Sequence, residues 1–394
     1  MPKVLRIINR FNLGGPTFNA AYLTKYMAPE FDTLLVGGQK DDSEDSSKFI
    51  VNDLGIHTLD INEMRRSITL TDDTVAFNKL RNIINRYKPD IVHTHASKAG
   101  TLGRLAAFAC NTPVVIHTFH GHVFHSYFGK TKTVIYKTIE RRLAVKTSKI
   151  IAISEKQKHE LCEIHKICEP EKVAIIPLGF DLQKFQEDIL NKRILFRKDY
   201  LLEDDEIAIG IIGRIVPIKN HTLFLQILKN VLQKTNKKVR AFIVGDGEDK
   251  QEMMNLAKAL NIDYTDFTQD KRKATLTFTS WIKNIDYVNA GLDIVTLTSL
   301  NEGTPVSLIE AQAANKPIVS TNVGGIENIL IPNITGFLVE NNDIDKFTEY
   351  LLALIENDYL REKMSKEGWS FVKDKYHYTR LVNDMKKLYF SLLS

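Results

Sequence analysis

Four groups of residues in this 394-residue chain have the types and spacing to do chemistry. The stretch HTFHGHVFH, residues 117–125, places four histidines in nine positions, and His93 and His95 bring six of the chain's 11 histidines within 33 residues. Imidazoles at that density suit a metal site, a catalytic centre or a polar cleft lining. Arg214 and Lys219, five positions apart with Pro217 between them, follow the apolar run IAIGIIG. A guanidinium that grips two oxygens and an ammonium that acts as a point charge together suit a diphosphate. Glu302 and Glu310 lie in NEGTPVSLIE, the first in a loop and the second on the helix that begins near Val306. The loop carboxylate can accept hydrogen bonds from sugar hydroxyls, and the helix carboxylate can hold a ribose diol. Between them, the N–H groups of Thr304, Val306 and Ser307 point at a phosphate from a helix start. A Gly-Gly turn, NLGGPTF, puts Gly15 before Pro16 at another helix start, where backbone can approach an anion closely.

Such groups need elements to hold them. Short β-branched runs alternate with helical stretches almost throughout: 4–8, 33–38, 90–95, 114–119, 149–154 and 173–179, then 207–213, 240–247, 276–280, 293–299, 316–321 and 335–340. Alternation of this kind means doubly wound α/β sheets with helices on both faces. The reading is two sets of six strands in two Rossmann-like domains facing a central cleft, since the carboxyl ends of parallel strands are where ligands bind. The polar stretch 180–205 marks the boundary. The domains are placed at 1–185 and 186–376, with an amphipathic helix over 377–394 returning to the first.

The bulk numbers fit a soluble globular protein, 43% hydrophobic and 26% charged. The start MPKVLRIINRFNLGG does not read as a signal peptide, because Arg6 interrupts its short apolar run. Three cysteines, Cys110, Cys162 and Cys168, form no paired framework, so a reducing cytoplasmic setting is expected. The net charge of +5 is uneven: residues 1–185 carry 26 Lys+Arg against 19 Asp+Glu, and the rest 27 against 29. Residues 130–149 hold seven basic residues and one acid, with apolar Val134, Ile135, Ile139 and Leu143 at near-helical spacing. That helix either rests on an anionic membrane surface or packs on the core with a solvated charged face. Nucleic acid is not expected, for want of any zinc-finger, basic-zipper or RNA-binding pattern.

No metal is expected either. His117 belongs to the strand VVIHTF and points away from the loop that starts at His120, and no Cys or H-E-x-x-H accompanies that loop. In HELCEIHKIC the three-residue spacing drifts by about 60° per step around a helix. The DID at 343–345 reads as a helix cap.

Taken in order and spacing, GGPTFNAAYL, HTFHGH, GRIVPIK and EGTPVSLIE resemble the retaining family 4 glycosyltransferases of the GT-B fold, over essentially the whole chain. NRFNLGGPTFNAAYL, HTHASKAGTLGR and HTFHGHVFHSYFG look most like bacterial members that build capsule, O-antigen or other envelope polysaccharide. The resemblance implies roles residue by residue. Gly15 would lie against the donor phosphates, Arg214 and Lys219 would neutralise the departing diphosphate, Glu302 would sit near the transferred sugar and Glu310 would bind ribose. The loop Gly303, Thr304, Pro305, Val306 and Ser307 would shape the sugar pocket. Gly245 in GDGED and Trp281 and Ile282 in FTSWIKN match loops beside ribose and base, although Ser280 stands where the family has glycine. His120 matches the histidine beside the donor sugar and reaction centre. His95, Lys98, Arg104 and His122 are candidates for the acceptor side, with core or plain surface roles as the alternative.

The implied reaction moves a sugar from a nucleotide-diphosphate donor, UDP being the first choice, to a glycan or lipid-linked glycan, with retention and without cofactor or metal. Competing readings are an epimerase or phosphorylase on the same fold, and a non-catalytic binding subunit of an envelope-polysaccharide complex.

Overall fold

Neighbouring residues of the first strand enter different cores. Val4 packs with Leu23, Ile91, Ile116 and Met385, while Leu5 and Ile7 pack with Val36, Leu80, Ile84 and Ala107. A strand buried on both faces reads as a continuous apolar run, and its sheet must carry helices on each side. The computed structural model describes residues 1–11, 15–38, 48–65, 67–121 and 130–394, with only the backbone for 130–132. His122 and His125 lie outside the described residues.

The chain divides into two compact units, Met1–Phe180 with Tyr376–Ser394, and Asp181–Lys375. In the first, β1 (Lys3–Arg10), β2 (Asp32–Gly38), β3 (Thr58–Asp60), β4 (Ile91–His95), β5 (Val114–Thr118), β6 (Lys149–Ala152) and β7 (Val173–Ile175) form one sheet in the order β3-β2-β1-β4-β5-β6-β7. In the second, β8 (Ile207–Ile212), β9 (Val239–Val244), β10 (Tyr264–Asp266), β11 (Leu276–Ser280), β12 (Ile294–Leu297), β13 (Ile318–Thr321) and β14 (Gly336–Val339) run β10-β11-β9-β8-β12-β13-β14. The ladders are parallel, from Val4↔Thr33 in the first sheet to Thr321↔Val339 in the second.

Each sheet has seven strands rather than the expected six. The additions, β3 (TLD) and β10 (YTD), are three-residue edge strands, too short to show any periodicity. The units also part earlier than residue 185. Phe180 donates to the Tyr376 carbonyl and accepts from the Tyr378 amide, which keeps it in the first unit. Gln186, in contrast, donates to the Ala313 carbonyl of the second. The last helix, Tyr378–Leu393, buries Leu381, Val382, Met385 and Tyr389 in the first unit's core. Asp343 caps the helix Ile344–Glu356 by accepting from the Lys346 amide.

Candidate active site

In an open parallel sheet a crevice forms where adjacent strands send their connections to opposite sides. In the second unit that point lies between β8 and β12. The loop after β8 tightens at once into the turn Pro217–Lys219, and Asn220, at φ 51, caps the helix His221–Lys234 by accepting from the Leu223 amide. The loop after β12 is laced to it: Leu300 donates to the Ile218 carbonyl at 2.9 Å and Thr298 to the Asn220 carbonyl at 2.9 Å. This lacing brings Lys219 Nζ within 2.5 Å of Glu302 Oε1, which also accepts from Ser299 Oγ at 2.6 Å. The loop after β13 closes on the same residue, because Gly325 donates to the Glu302 carbonyl at 3.0 Å. Gly324 has φ 59, and a Cβ there would lie 1.8 Å from the Glu302 carbonyl oxygen. Only glycine fits that approach. Arg214 is exposed on the rim of the β8 loop, and Lys219 is mostly buried.

Beyond Glu302, Gly303 is exposed, Thr304 half-buried and Pro305 buried. Pro305 begins the helix Val306–Ala313 with no side-chain cap, so no side chain competes with a ligand for its first N–H groups, those of half-buried Val306 and Ser307 included. Glu310 sits further along the same helix, half-buried. Burial pushes its carboxyl up to about 7, opposed by Lys184 and reinforced by Asp286. The folded state therefore holds a proton that the unfolded chain releases near the ordinary carboxylate range. The resulting cost is absent below about pH 4.5 and complete above about pH 7. Glu310→Gln is expected to leave stability unchanged at pH 4.5 and to raise it by about 1–3 kcal/mol at pH 8, by urea unfolding. An equal increment at both pH values would refute the buried-carboxyl account.

Beside this crevice, Gly245 follows β9 with φ 147, and a Cβ on it would lie 2.0 Å from the Gly213 carbonyl oxygen. Next to it, Asp246 accepts from Ser280 Oγ at 2.7 Å. Lys250 bonds Asp266 at 2.8 Å, with Asp246 further off at 3.8 Å. Ser280 has φ 61, the left-handed conformation that a glycine adopts without cost. Its bond to Asp246 offsets that cost and fixes where half-buried Trp281 and Ile282 begin. Ser280→Gly trades a charged hydrogen bond for relief of strain and is expected to change stability by less than about 1 kcal/mol. Ser280→Val loses the bond and keeps the strain, at about 2–4 kcal/mol. Denaturant midpoints decide, and a harmless valine would remove the argument.

In the first unit the histidines separate by face. His117, on β5, packs on the side of Thr94, whose hydroxyl lies 2.9 Å from its Nδ1. His93 and His95, on β4, share the opposite face and stack with ring centroids 4.2 Å apart. Arg6 reaches His93 Nδ1 at 3.0 Å and Tyr389 Oη at 2.9 Å, and His93 Nε2 meets Thr118 Oγ1 at 2.7 Å. Arginine only donates, so His93 Nδ1 accepts and its proton is on Nε2. His95 Nδ1 lies 2.9 Å from His120 Nε2. Burial drives all four rings toward neutrality: His93, His95 and His117 fall well below the usual range, with Arg6 adding to this at His93, and His120 is lowered to about 3. Among the described residues no group of three or more His, Cys, Asp or Glu is arranged to hold a metal ion.

One acceptor-side expectation is corrected. Arg104 is fully buried, with its guanidinium 2.6 Å from Glu140 and its Nε on the Gly100 carbonyl, so it is a core ion pair. Lys98 is occupied by Asp73 and the Ser67 carbonyl. His95 is wholly buried, with its Nδ1 2.9 Å from His120 Nε2. Gly15 opens the helix Gly15–Tyr26 beyond β1, at the first sheet's own switch point between β1 and β4. Ser299, Asp246 and the Arg6–Tyr389 pair were not foreseen. Arg6 alone had a signal, a charge inside a strand-like run.

Two doubly wound parallel sheets, with a lysine–carboxylate pair and an uncapped helix start at a switch point, define the architecture of a GT-B transferase. Solved structures agree on the fold: Anabaena HepE in complex with UDP (TM-score 0.77, 18% identity, 99% of this chain and 100% of that one) and a sucrose-phosphate synthase from Thermosynechococcus elongatus (TM-score 0.79, 16% identity, 100% and 99%). Residues 22–184 match the model for Glycosyltransferase Family 4, and residues 192–370 match that for Glycosyl transferases group 1. The chain belongs to this glycosyltransferase family and is an enzyme of that class. It is 33% identical over 330 residues, 83% of this chain and 82% of the relative, to the Escherichia coli UDP-Gal:alpha-D-GlcNAc-diphosphoundecaprenol alpha-1,3-galactosyltransferase. It is also 28% identical over 334 residues, 84% of each, to the Staphylococcus aureus capsular polysaccharide biosynthesis glycosyltransferase CapM.

Proposed function

We propose that this glycosyltransferase moves a hexosyl or N-acetylhexosaminyl group from a UDP-sugar to a lipid-linked glycan in bacterial envelope polysaccharide synthesis, with retention and without a divalent ion. The observation that carries the reading is the Lys219–Glu302 pair at the β8/β12 crevice, with Arg214 on its rim and an uncapped helix start beside it. As the bond to the sugar lengthens, charge accumulates on the departing diphosphate. Arg214, Lys219 and the N–H groups of Val306 and Ser307 meet that charge without reorganising. In this reading Glu302 accepts from the transferred sugar's hydroxyls, Glu310 binds ribose, and Trp281 and Ile282 lie beside the base. His120, neutral in this reading, hydrogen-bonds the sugar rather than carrying charge. No residue is assigned as nucleophile, so attack comes from the leaving-group face, and a phosphate oxygen takes the acceptor proton. The named activity of the Escherichia coli relative supports the lipid diphosphate acceptor and the UDP donor.

The test is a transfer assay with UDP-galactose, UDP-N-acetylglucosamine, GDP-mannose and ADP-glucose, on N-acetylglucosaminyl-diphosphoundecaprenol, with and without EDTA. Transfer from a UDP-sugar that survives EDTA and yields a retained anomeric centre by NMR is expected. Transfer from GDP- or ADP-sugars alone, inversion, or loss with EDTA would each overturn the corresponding part.

A lipid-linked acceptor requires the enzyme to reach a membrane, and among the described residues no helix is long and apolar enough to cross one. The helix Lys130–Lys146 buries Leu143 but turns Val134 and Ile135 outward, 62% and 54% exposed, beside Arg141, Arg142 and Lys146, so both readings of its apolar positions hold in part. An apolar and cationic face of this kind suits the cytoplasmic face of an anionic bilayer. Sedimentation should show salt-sensitive binding to phosphatidylglycerol vesicles and little to phosphatidylcholine. Val134→Glu with Ile135→Glu should weaken it at least about tenfold while turnover on a short-chain soluble acceptor stays unchanged. Equal binding by the variant would eliminate this surface.

A further inference from the structure

His120 is held through a single ring nitrogen. Its Nε2 meets His95 Nδ1 at 2.9 Å, with the rings 5.2 Å apart and 27° from parallel, and its Nδ1 is buried with no hydrogen-bond partner among the described residues. Among the described residues His95 has no other hydrogen-bond partner, for its Nε2 is also buried and unpaired. The ring of His95 is itself immobilised. It stacks at 4.2 Å on His93, which Arg6, Tyr389 and Thr118 fasten from three sides. The next residue, Ala96, has φ 65 and ψ 166, a conformation costly for any residue with a Cβ. Strain and a buried polar stack thus both converge on the carboxyl end of β4. A fully buried histidine whose one hydrogen bond reaches a loop residue has little to contribute to packing that an apolar side chain would not supply better.

We infer that His95 is a positioning residue, which through its Nδ1 fixes both the orientation of the His120 ring and the nitrogen on which His120 carries its proton. Two neutral imidazoles can share a hydrogen bond only if one donates and the other accepts. The tautomer of His95 therefore dictates that of His120, and with it whether His120 Nδ1 offers a substrate hydroxyl a donor or an acceptor. With Nε2 engaged, Nδ1 is the ring nitrogen left for the sugar. This rests on the reading of His120 as the residue beside the transferred sugar. Freed from His95, the His120 ring rotates about χ1 and χ2 and populates both tautomers, so most encounters present the wrong atom.

The test uses the full-length enzyme with four variants: His95→Phe, which fills the space without a hydrogen bond, His95→Asn, whose amide nitrogen overlays Nδ1, His95→Gln, whose amide nitrogen overlays Nε2, and His120→Ala. His95→Phe and His95→Gln are expected to lower kcat by about 10–100-fold with donor KM changed by less than about threefold, and His95→Asn to stay within about fivefold of wild type. Should His95→Phe not fold, the Asn and Gln pair carries the same comparison. The 15N spectrum of the His120 imidazole should show one tautomer in the wild type and a mixture in His95→Gln. Wild-type kcat in His95→Phe or His95→Gln, kcat tracking Tm across all three His95 variants, or an unchanged His120 spectrum would each overturn the positioning role. Wild-type turnover in His120→Ala would instead defeat the reading of His120 on which it rests.

Discussion

Replacing Lys219 with alanine lowers kcat by about 10²–10³-fold, with less than about a tenfold change in the KM for the donor. The asymmetry follows from when the charge appears. In the proposed mechanism Arg214 and the helix start at Val306 also meet the diphosphate of the bound nucleotide sugar, so ground-state affinity has other supports. In that mechanism the additional charge develops only as the glycosidic bond breaks, and Lys219, mostly buried and held at 2.5 Å by Glu302, is the cation proposed to meet it. Removing the ammonium also leaves the Glu302 carboxylate without its cation, and that carboxylate then opposes the departing diphosphate. Lys219→Arg should recover only part of the loss, because a planar fork does not reproduce a point charge in a space shaped by the turn Pro217–Lys219. Steady-state kinetics with a UDP-sugar decides, and a kcat equal to wild type in Lys219→Ala would end the charge-stabilisation role.

Glu140→Ala is expected to destabilise the protein by about 3–5 kcal/mol, because it strands a guanidinium in the core. Arg104 is fully buried, with Nη2 on Glu140 at 2.6 Å and Nε on the Gly100 carbonyl at 2.8 Å. The pair ties the helix Ser97–Ala109 to the helix Lys130–Lys146. The double variant Arg104→Met with Glu140→Leu, which removes both charges at similar volume, should lie within about 1–2 kcal/mol of wild type. The same proteins separate the two roles considered for Arg104. A core ion pair predicts an unchanged acceptor KM in the folded double variant, and an acceptor contact predicts a raised one. Equal destabilisation by the single and double changes would show that the charge is not the cause.

Both predictions concern residues visible in the sequence, where Lys219 was singled out for a diphosphate and Arg104 was not seen as half of a core ion pair. Arg214, Lys219, Glu302 and Glu310 could be singled out as candidates because the signal is local: each lies within a few residues of a strand end or helix start. The parallel two-sheet architecture was equally legible, since fourteen strands and their connections need only short-range periodicity to be seen, and only the three-residue β3 and β10 were missed. Ser280 was visible as a departure from glycine, but not that it adopts φ 61 and holds Asp246.

The histidine-rich stretch marks the boundary between the two kinds of information. Its composition left a metal site, a catalytic centre and a lining all open, because spacing along a strand gives the face of each residue and nothing about what lies across from it. The sequence alone determined that His93 and His95 share a face; that His117 packs on the other one, against Thr94, follows from the pairing of β4 with β5. That Arg6 from β1 and Tyr389 from the last helix close on His93, and that His95 then reaches His120, depends on contacts spanning 87 and 296 positions. The same holds for Arg104, whose partner is 36 residues away. Local chemistry is written in the order of residues. The partner that turns a charge or an imidazole into a core pair or a positioned group is chosen only when distant segments pack.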